Sequence, residues 1–158
     1  MYMFFNKSYN QQSNMELTGF EQIFTNEEGA GYINPSQNTI ALIASTDYIS
    51  IKKFKQLFEM LTDEIESSDN EYHTFIFDKS ALRTFHQPSM KWYFLEWKTA
   101  MAKHGLNRHI KILPKLDYFK RAVEAARKPL LKQFPVELRD QISIEYFENL
   151  QEAINSLK

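Results

Sequence analysis

Cysteine is absent from this 158-residue chain, and glycine occurs only four times. Without cysteine there is no disulfide framework, no thiol nucleophile and no thiolate metal site. Gly19, Gly29, Gly31 and Gly105 cannot be arranged as GxxxxGK or GxGxxG, so the phosphate-cradling loops of nucleotide-binding folds are excluded. A GxSxG nucleophile elbow is missing as well. Neither charge sign dominates: 19 Lys and Arg stand against 20 Asp and Glu, a net charge of −1. A nucleic-acid-binding domain carries a clustered basic excess, so no nucleic-acid partner is expected. No apolar run approaches the roughly 18–20 residues of a membrane span, so no integral membrane segment is expected. The apolar start Met1–Phe5 stops at Asn6-Lys7, short of the roughly 7–15-residue core of an export signal, which makes the cytoplasm the expected location.

What the chain has in abundance is aromatic: 13 Phe, 8 Tyr and 2 Trp. Rings bury large areas, so a chain of this length can build one well-filled core without cross-links. Residues 1–16, rich in Asn, Gln and Ser, read as a poorly ordered lead-in, and 17–158 as a single domain.

Along that domain the period of the apolar residues switches repeatedly. Thr18 to Thr25 reads as a strand, Ala30 to Ile33 as its hairpin partner, and Thr39 to Ala44 as a buried strand. Ser45-Thr46-Asp47 offers N-cap chemistry to a helix carrying Ile51, Phe54, Leu57, Phe58, Leu61 and Ile65 at spacings of three and four. Tyr72 to Phe77 is a buried strand closed by Asp78. Pro88 suits a first helical position, and Met90, Phe94, Trp97 and Met101 follow at helical spacing until Gly105. His109 to Leu113 is a short strand. Leu116, Phe119, Ala122, Val123 and Ala126 predict a helix up to Pro129, where a proline kinks or ends it. Ile142 to Tyr146 alternates as a strand, and Leu150, Ala153, Ile154 and Leu157 line a last helix. The order β-β-α-β-α-β-α-β-α implies one α/β domain: a mixed, mainly parallel sheet with helices chiefly on one face.

That order resembles the STAS (SpoIIAA-like) domain of sulfate transporters and anti-sigma factor antagonists. The residues that carry the resemblance are Asp78 at the end of its strand and the closing run Ile144-Glu145-Tyr146-Phe147-Glu148-Asn149-Leu150-Gln151-Glu152-Ala153. The resemblance covers roughly Thr18 to Lys158 and is closest to the small stand-alone bacterial variants. It implies a non-enzymatic regulatory or protein-interaction module. In phosphoswitch members the strand is followed by Asp-Ser-Ser-Gly-Leu, whose first Ser takes the phosphate. Here the stretch is Asp78-Lys79-Ser80-Ala81-Leu82, with Lys79 at the acceptor position and Ala81 in place of Gly. A working phosphoserine switch is therefore not expected, and Ser80 is the one hydroxyl that such a switch would have to use.

Other constellations are thinner. His73, His86, His104 and His109 contain no i, i+4 pair and no HExxH, so neither a metal nor a cofactor is expected. Ser80, His86 and Asp78 lie within nine residues of one another but have no Gly-rich oxyanion loop, so no catalytic residue is assigned. Basic residues from Lys111 to Lys132 read as a solvated face with ion pairs. The helix from Met90 to Lys103 stands out. Met90, Tyr93, Phe94, Trp97, Ala100 and Met101 fill one broad face, and Trp92 and Leu95 lie off it. Rings beyond a helix's core stripe suit a protein partner, a second copy of the chain, or an apolar, lipid-like ligand. The candidate surface is therefore Asp78, Lys79, Ser80 and His86 at the strand end, with Trp92, Leu95 and Trp97 on the helix.

Overall fold

The computed structural model describes residues 17–158, so the expected lead-in over 1–16 lies outside the described residues. Six strands form one sheet: β1 (Glu21–Thr25), β2 (Gly29–Asn34), β3 (Thr39–Ala44), β4 (Thr74–Asp78), β5 (Arg108–Ile112) and β6 (Ser143–Phe147). Their spatial order is their chain order. β1, β2 and β3 pair antiparallel, and β3 to β6 are parallel.

The helices follow the predicted alternation. α1 is Ile51–Ser67. α2 is continuous over three segments, Gln87–Trp92, Tyr93–Trp97 and Lys98–Ala102. α3 is Asp117–Gln133, followed by the single turn α4 (Val136–Arg139), and α5 is Leu150–Asn155. Because each parallel crossover steps the same way across the sheet, right-handed connections carry α1, α2 and α3 to the same face. Phe75 and Phe77 of β4 meet those helices, whereas Ala41, Ile76, Ile110 and Ile112 face Leu17 and α5. All five residues of β4 are buried, as a parallel strand covered on both faces requires.

Local chemistry explains the joints. Ser50, not Ser45 to Asp47, caps α1, its hydroxyl accepting from the Lys53 amide. Gly105 ends the α2 region with φ +89°, a conformation that a Cβ would strain. Gly31 leaves room for the Phe24 ring, which a Cβ would overlap, so a bulged β1 can lay that ring across β2.

Two helices depart from expectation. α3 does not stop at Pro129 but runs on to Gln133. Leu130 and Phe134 beyond the proline are buried, and Phe134 meets Phe94 at 5.5 Å between ring centroids, so packing outweighs the lost backbone bond. α2 contains a π segment, Tyr93–Trp97. Its buried residues come as Ser89-Met90, Tyr93-Phe94, Trp97-Lys98 and Met101. A repeat of four drifts by about 40° per repeat on a 3.6-residue helix, and the wider π turn absorbs that drift.

The aromatic surplus is mostly interior. Phe58 lies 4.6 Å from Phe54, 4.8 Å from Trp97, 5.4 Å from Tyr93 and 5.6 Å from Phe77, centroid to centroid. Replacing Phe58 with Ala should cost about 3–5 kcal/mol in urea unfolding. A loss under about 1 kcal/mol would mean that the layer is not close-packed around this ring.

Candidate functional site

The strand-end residues adopt a tight turn. Asp78 is buried, and its Oδ1 accepts from the Ser80 amide at 2.9 Å. Arg83 does not pair with it. Its Nη1 instead donates to the carbonyls of Ser80, Ala81 and Leu82 at 2.9, 3.0 and 2.9 Å. Ser80 is exposed. His86 is engaged with Ser89, Nδ1 to Oγ at 2.7 Å, and its ring meets that of Tyr48 at 5.8 Å. The recorded partners of His86 and Asp78 are thus Ser89 and the Ser80 backbone, which is not a triad.

The predicted helix surface is largely internal. Trp97 is buried, and its Nε1 donates to Thr62 Oγ1 at 2.8 Å, so it belongs to the core and not to a surface. Trp92 is half-buried, edge-on to Phe54 and Phe58 with Lys55 Nζ 5.6 Å from its centroid. Leu95 is half-buried against the same cluster. The seven predicted residues therefore divide between the strand-end turn, the flank of α2 and the interior.

What sequence reasoning missed lies between them. Lys111, read above as part of a solvated face, is a fully buried strand residue. Register explains this: Phe75 pairs with His109 and Phe77 with Lys111, so both polar side chains face the helices. Lys98 of α2 and Lys79 are buried with them. Lys98 Nζ lies 4.0 Å from the Phe94 centroid and Lys111 Nζ 4.8 Å from that of Tyr93. The Tyr93 hydroxyl meets His109 Nδ1 at 3.0 Å, and the Lys98 amine has the Lys111 amine as its neighbour. Among the described residues, no carboxylate lies within 4.0 Å of the three amines.

A cation without a counter-ion in a dry interior gives up its proton. Burial brings the Lys79 amine down to about 8. Burial, then the charge of Lys79, brings Lys98 down to about 7. Lys111 is held well below the ordinary lysine range by burial and then by Lys98, Lys79 and Arg127. Burial, Lys98 and Lys111 likewise keep His109 neutral. These groups form a layer of amines of lowered basicity among aromatic rings.

Two cavities flank this layer. One, of about 350 Å³, lies where β5 and β6 end, against α3. Leu113, Val123 and Phe147 give it an apolar floor, and Lys115, Lys120 and Arg127 supply positive charge beside Glu124 and Glu148. Arg127 is 5.7 Å from the Tyr146 ring centroid, which fixes its head at the wall. The other cavity, of about 230 Å³, is lined by Phe94, Lys98, Phe134, Ile142 and Ile144, among others. Among the described residues, no group of three or more His, Asp or Glu could hold a metal ion. No helix among them is long and apolar enough to cross a membrane. No protein-family model, curated protein or solved structure matches the chain.

The depressed lysines make a signed prediction. Between pH values of about 7–8 and 10 the unfolded chain binds protons that the folded chain does not, because the folded values are about 7 and 8 against the ordinary 10.5. Stability therefore rises with pH across that window and falls as pH drops through it. Tyr72, pushed up to about 12 by burial and by its bond to Glu64, and Tyr93, raised by burial, reverse the slope above about pH 10. Lys98→Met should flatten the rise and add about 1–4 kcal/mol at neutral pH, read by urea unfolding. Parallel pH curves for the two proteins would mean that Lys98 is charged in the folded state.

Proposed function

We propose that the protein is a non-enzymatic binding module of the STAS-like type, and that its ligand is an amphipathic carboxylate held where β5 and β6 end. The observation that carries this reading is the cleft of about 350 Å³, with its apolar floor and three basic side chains, Lys115, Lys120 and Arg127, that outnumber the carboxylates Glu124 and Glu148 in its lining. Open α/β sheets take ligands outside the carboxyl ends of their strands, and a hydrocarbon floor beside cations suits a chain that ends in an anion. The STAS-like part of the reading is supported by the chain-order sheet, the turn at Asp78 and the closing strand and helix. Fold likeness supports the class of protein, and the cleft supports the ligand. Regulation follows if the bound and free forms differ in what they present to a partner.

Decanoate is a suitable probe. It should raise the melting temperature in a concentration-dependent way, through its binding to the folded state. Arg127→Ala combined with Lys120→Ala should weaken that binding by about tenfold or more, as loss of charge-assisted contacts does. The same shift in the double variant, or none in the parent, would overturn the ligand assignment.

A second reading, an interaction module, rests on a separate observation. Tyr48 and Tyr118, 47% and 51% exposed, flank the turn after β4, one against His86 and the other donating to the Arg83 carbonyl. Exposed tyrosines beside a rigid turn suit a protein partner or a second copy of the chain. Sedimentation should then give a dimer mass that Tyr118→Asp returns to monomer. A monomer mass at every concentration removes self-association from this reading.

A further inference from the structure

A third, smaller cavity lies beyond the end of β4, among the N-terminal ends of α1, α2 and α3, and measures about 40 Å³. A water takes roughly 10–15 Å³ of such space, so about three atoms of that size fit. Phe54, Leu82, Phe85, Met90 and Phe119 wall it, and Lys79, His86 and Ser89 are among its polar residues. Among the described residues, no carboxylate lines it.

Strand register places Lys79 there. Its amide donates to the Ile112 carbonyl at 2.8 Å, which carries the β4–β5 pairing one residue past Asp78. Two residues on from Phe77, its side chain leaves the same face of the sheet, and its Nζ lies 5.1 Å from the Phe77 centroid. Lys79 is 6% exposed, and its amine, unlike that of Lys98, is not sealed from solvent. Among the described residues, no hydrogen bond or ion pair engages that amine. Burial lowers it only to about 8, so at neutral pH it is a cation without a counter-ion, on the wall of an open cavity. Ser89 and His86 come from the start of α2, where the N-cap side chain makes no capping bond and the first turn holds no acidic residue. The Ser89 hydroxyl meets His86 Nδ1 at 2.7 Å. With the imidazole as donor, the hydroxyl hydrogen is free for an acceptor in the cavity.

We infer that this cavity binds a small monocarboxylate, whose head group pairs with the Lys79 amine and accepts from Ser89. One ammonium balances one negative charge. A phosphate dianion would bring a second charge against apolar walls with nothing to match it. The carbon and two oxygens of a carboxylate fill the space, and any further carbon lies towards the exposed Thr84. Formate and acetate fit this description, and long acids do not. The site shares no lining residue with the cleft where β5 and β6 end, and neither depends on the other.

The test adds formate to the full chain and follows the proton NMR line of the ligand. Exchange onto the protein should broaden that line, and acetate should sharpen it again by competition. Lys79→Met keeps the apolar stem without the charge and should weaken binding at least about tenfold. Ser89→Ala should weaken it several-fold. No broadening with the parent protein, or equal broadening with Lys79→Met, would overturn the assignment. If broadening survives Lys79→Met but is lost when Arg127→Ala is combined with Lys120→Ala, the anion sits in the cleft instead. Chloride that displaces formate as well as acetate does would mean charge screening and not a carboxylate site. Unchanged binding in Ser89→Ala would remove the hydroxyl from the site.

Discussion

The ring of Phe58 holds the molecule together at the point where α1, α2 and the sheet meet. It touches Phe54 on its own helix, Phe75 and Phe77 on β4, and Trp92, Tyr93 and Trp97 on α2. Edge-to-face contacts between rings lock orientation as well as position, so the layer is stiff as well as apolar. Everything distinctive about the interior follows from that stiffness. Water is kept away from β4 and β5, and side chains that would elsewhere be hydrated cations must share the space with rings. The turn after β4 and the π segment of α2 are both anchored to the same layer.

The parts of this fold legible in the sequence are those whose period and composition agree. α1 declares itself through Phe54, Leu57, Phe58, Leu61 and Ile65, all buried as the spacing requires. β3 and β4 are apolar runs of strand length and are buried throughout or nearly so. Where one packed side chain outweighs local propensity, sequence reasoning fails. Pro129 is a helix breaker on any scale of propensity, yet Leu130 and Phe134 have buried places waiting beyond it. The π segment was not read from the sequence, because a lysine occupies the last of the buried pairs that recur every four residues and hides the repeat.

The amine layer was the least legible feature, and its invisibility has a physical cause. A lysine in a sequence reads as solvent-facing because burying a charge is costly, and that inference assumes the charge survives. In His109-Ile110-Lys111-Ile112 the alternation alone could have placed His109 and Lys111 together on one face of β5. A parallel strand between two covered faces leaves neither parity for solvent. What no single sequence displays is that Tyr93 and Phe94, on α2, supply the faces on which the Lys111 amine lies. The strand-end turn stood out in the sequence through Asp78 at the close of an apolar run. Its Asp, however, serves the backbone of Ser80 and not a partner side chain.

Burying amines also alters how the folded protein looks from outside. The formal net charge of −1 counts every lysine as a cation. Each amine that the aromatic layer keeps unprotonated makes the native molecule one unit more anionic than its formula, with no change in composition. Native and denatured forms of the same chain should therefore migrate differently in an electric field for reasons beyond size. The protein's approach to charged surfaces is set by a number that only the folded state possesses.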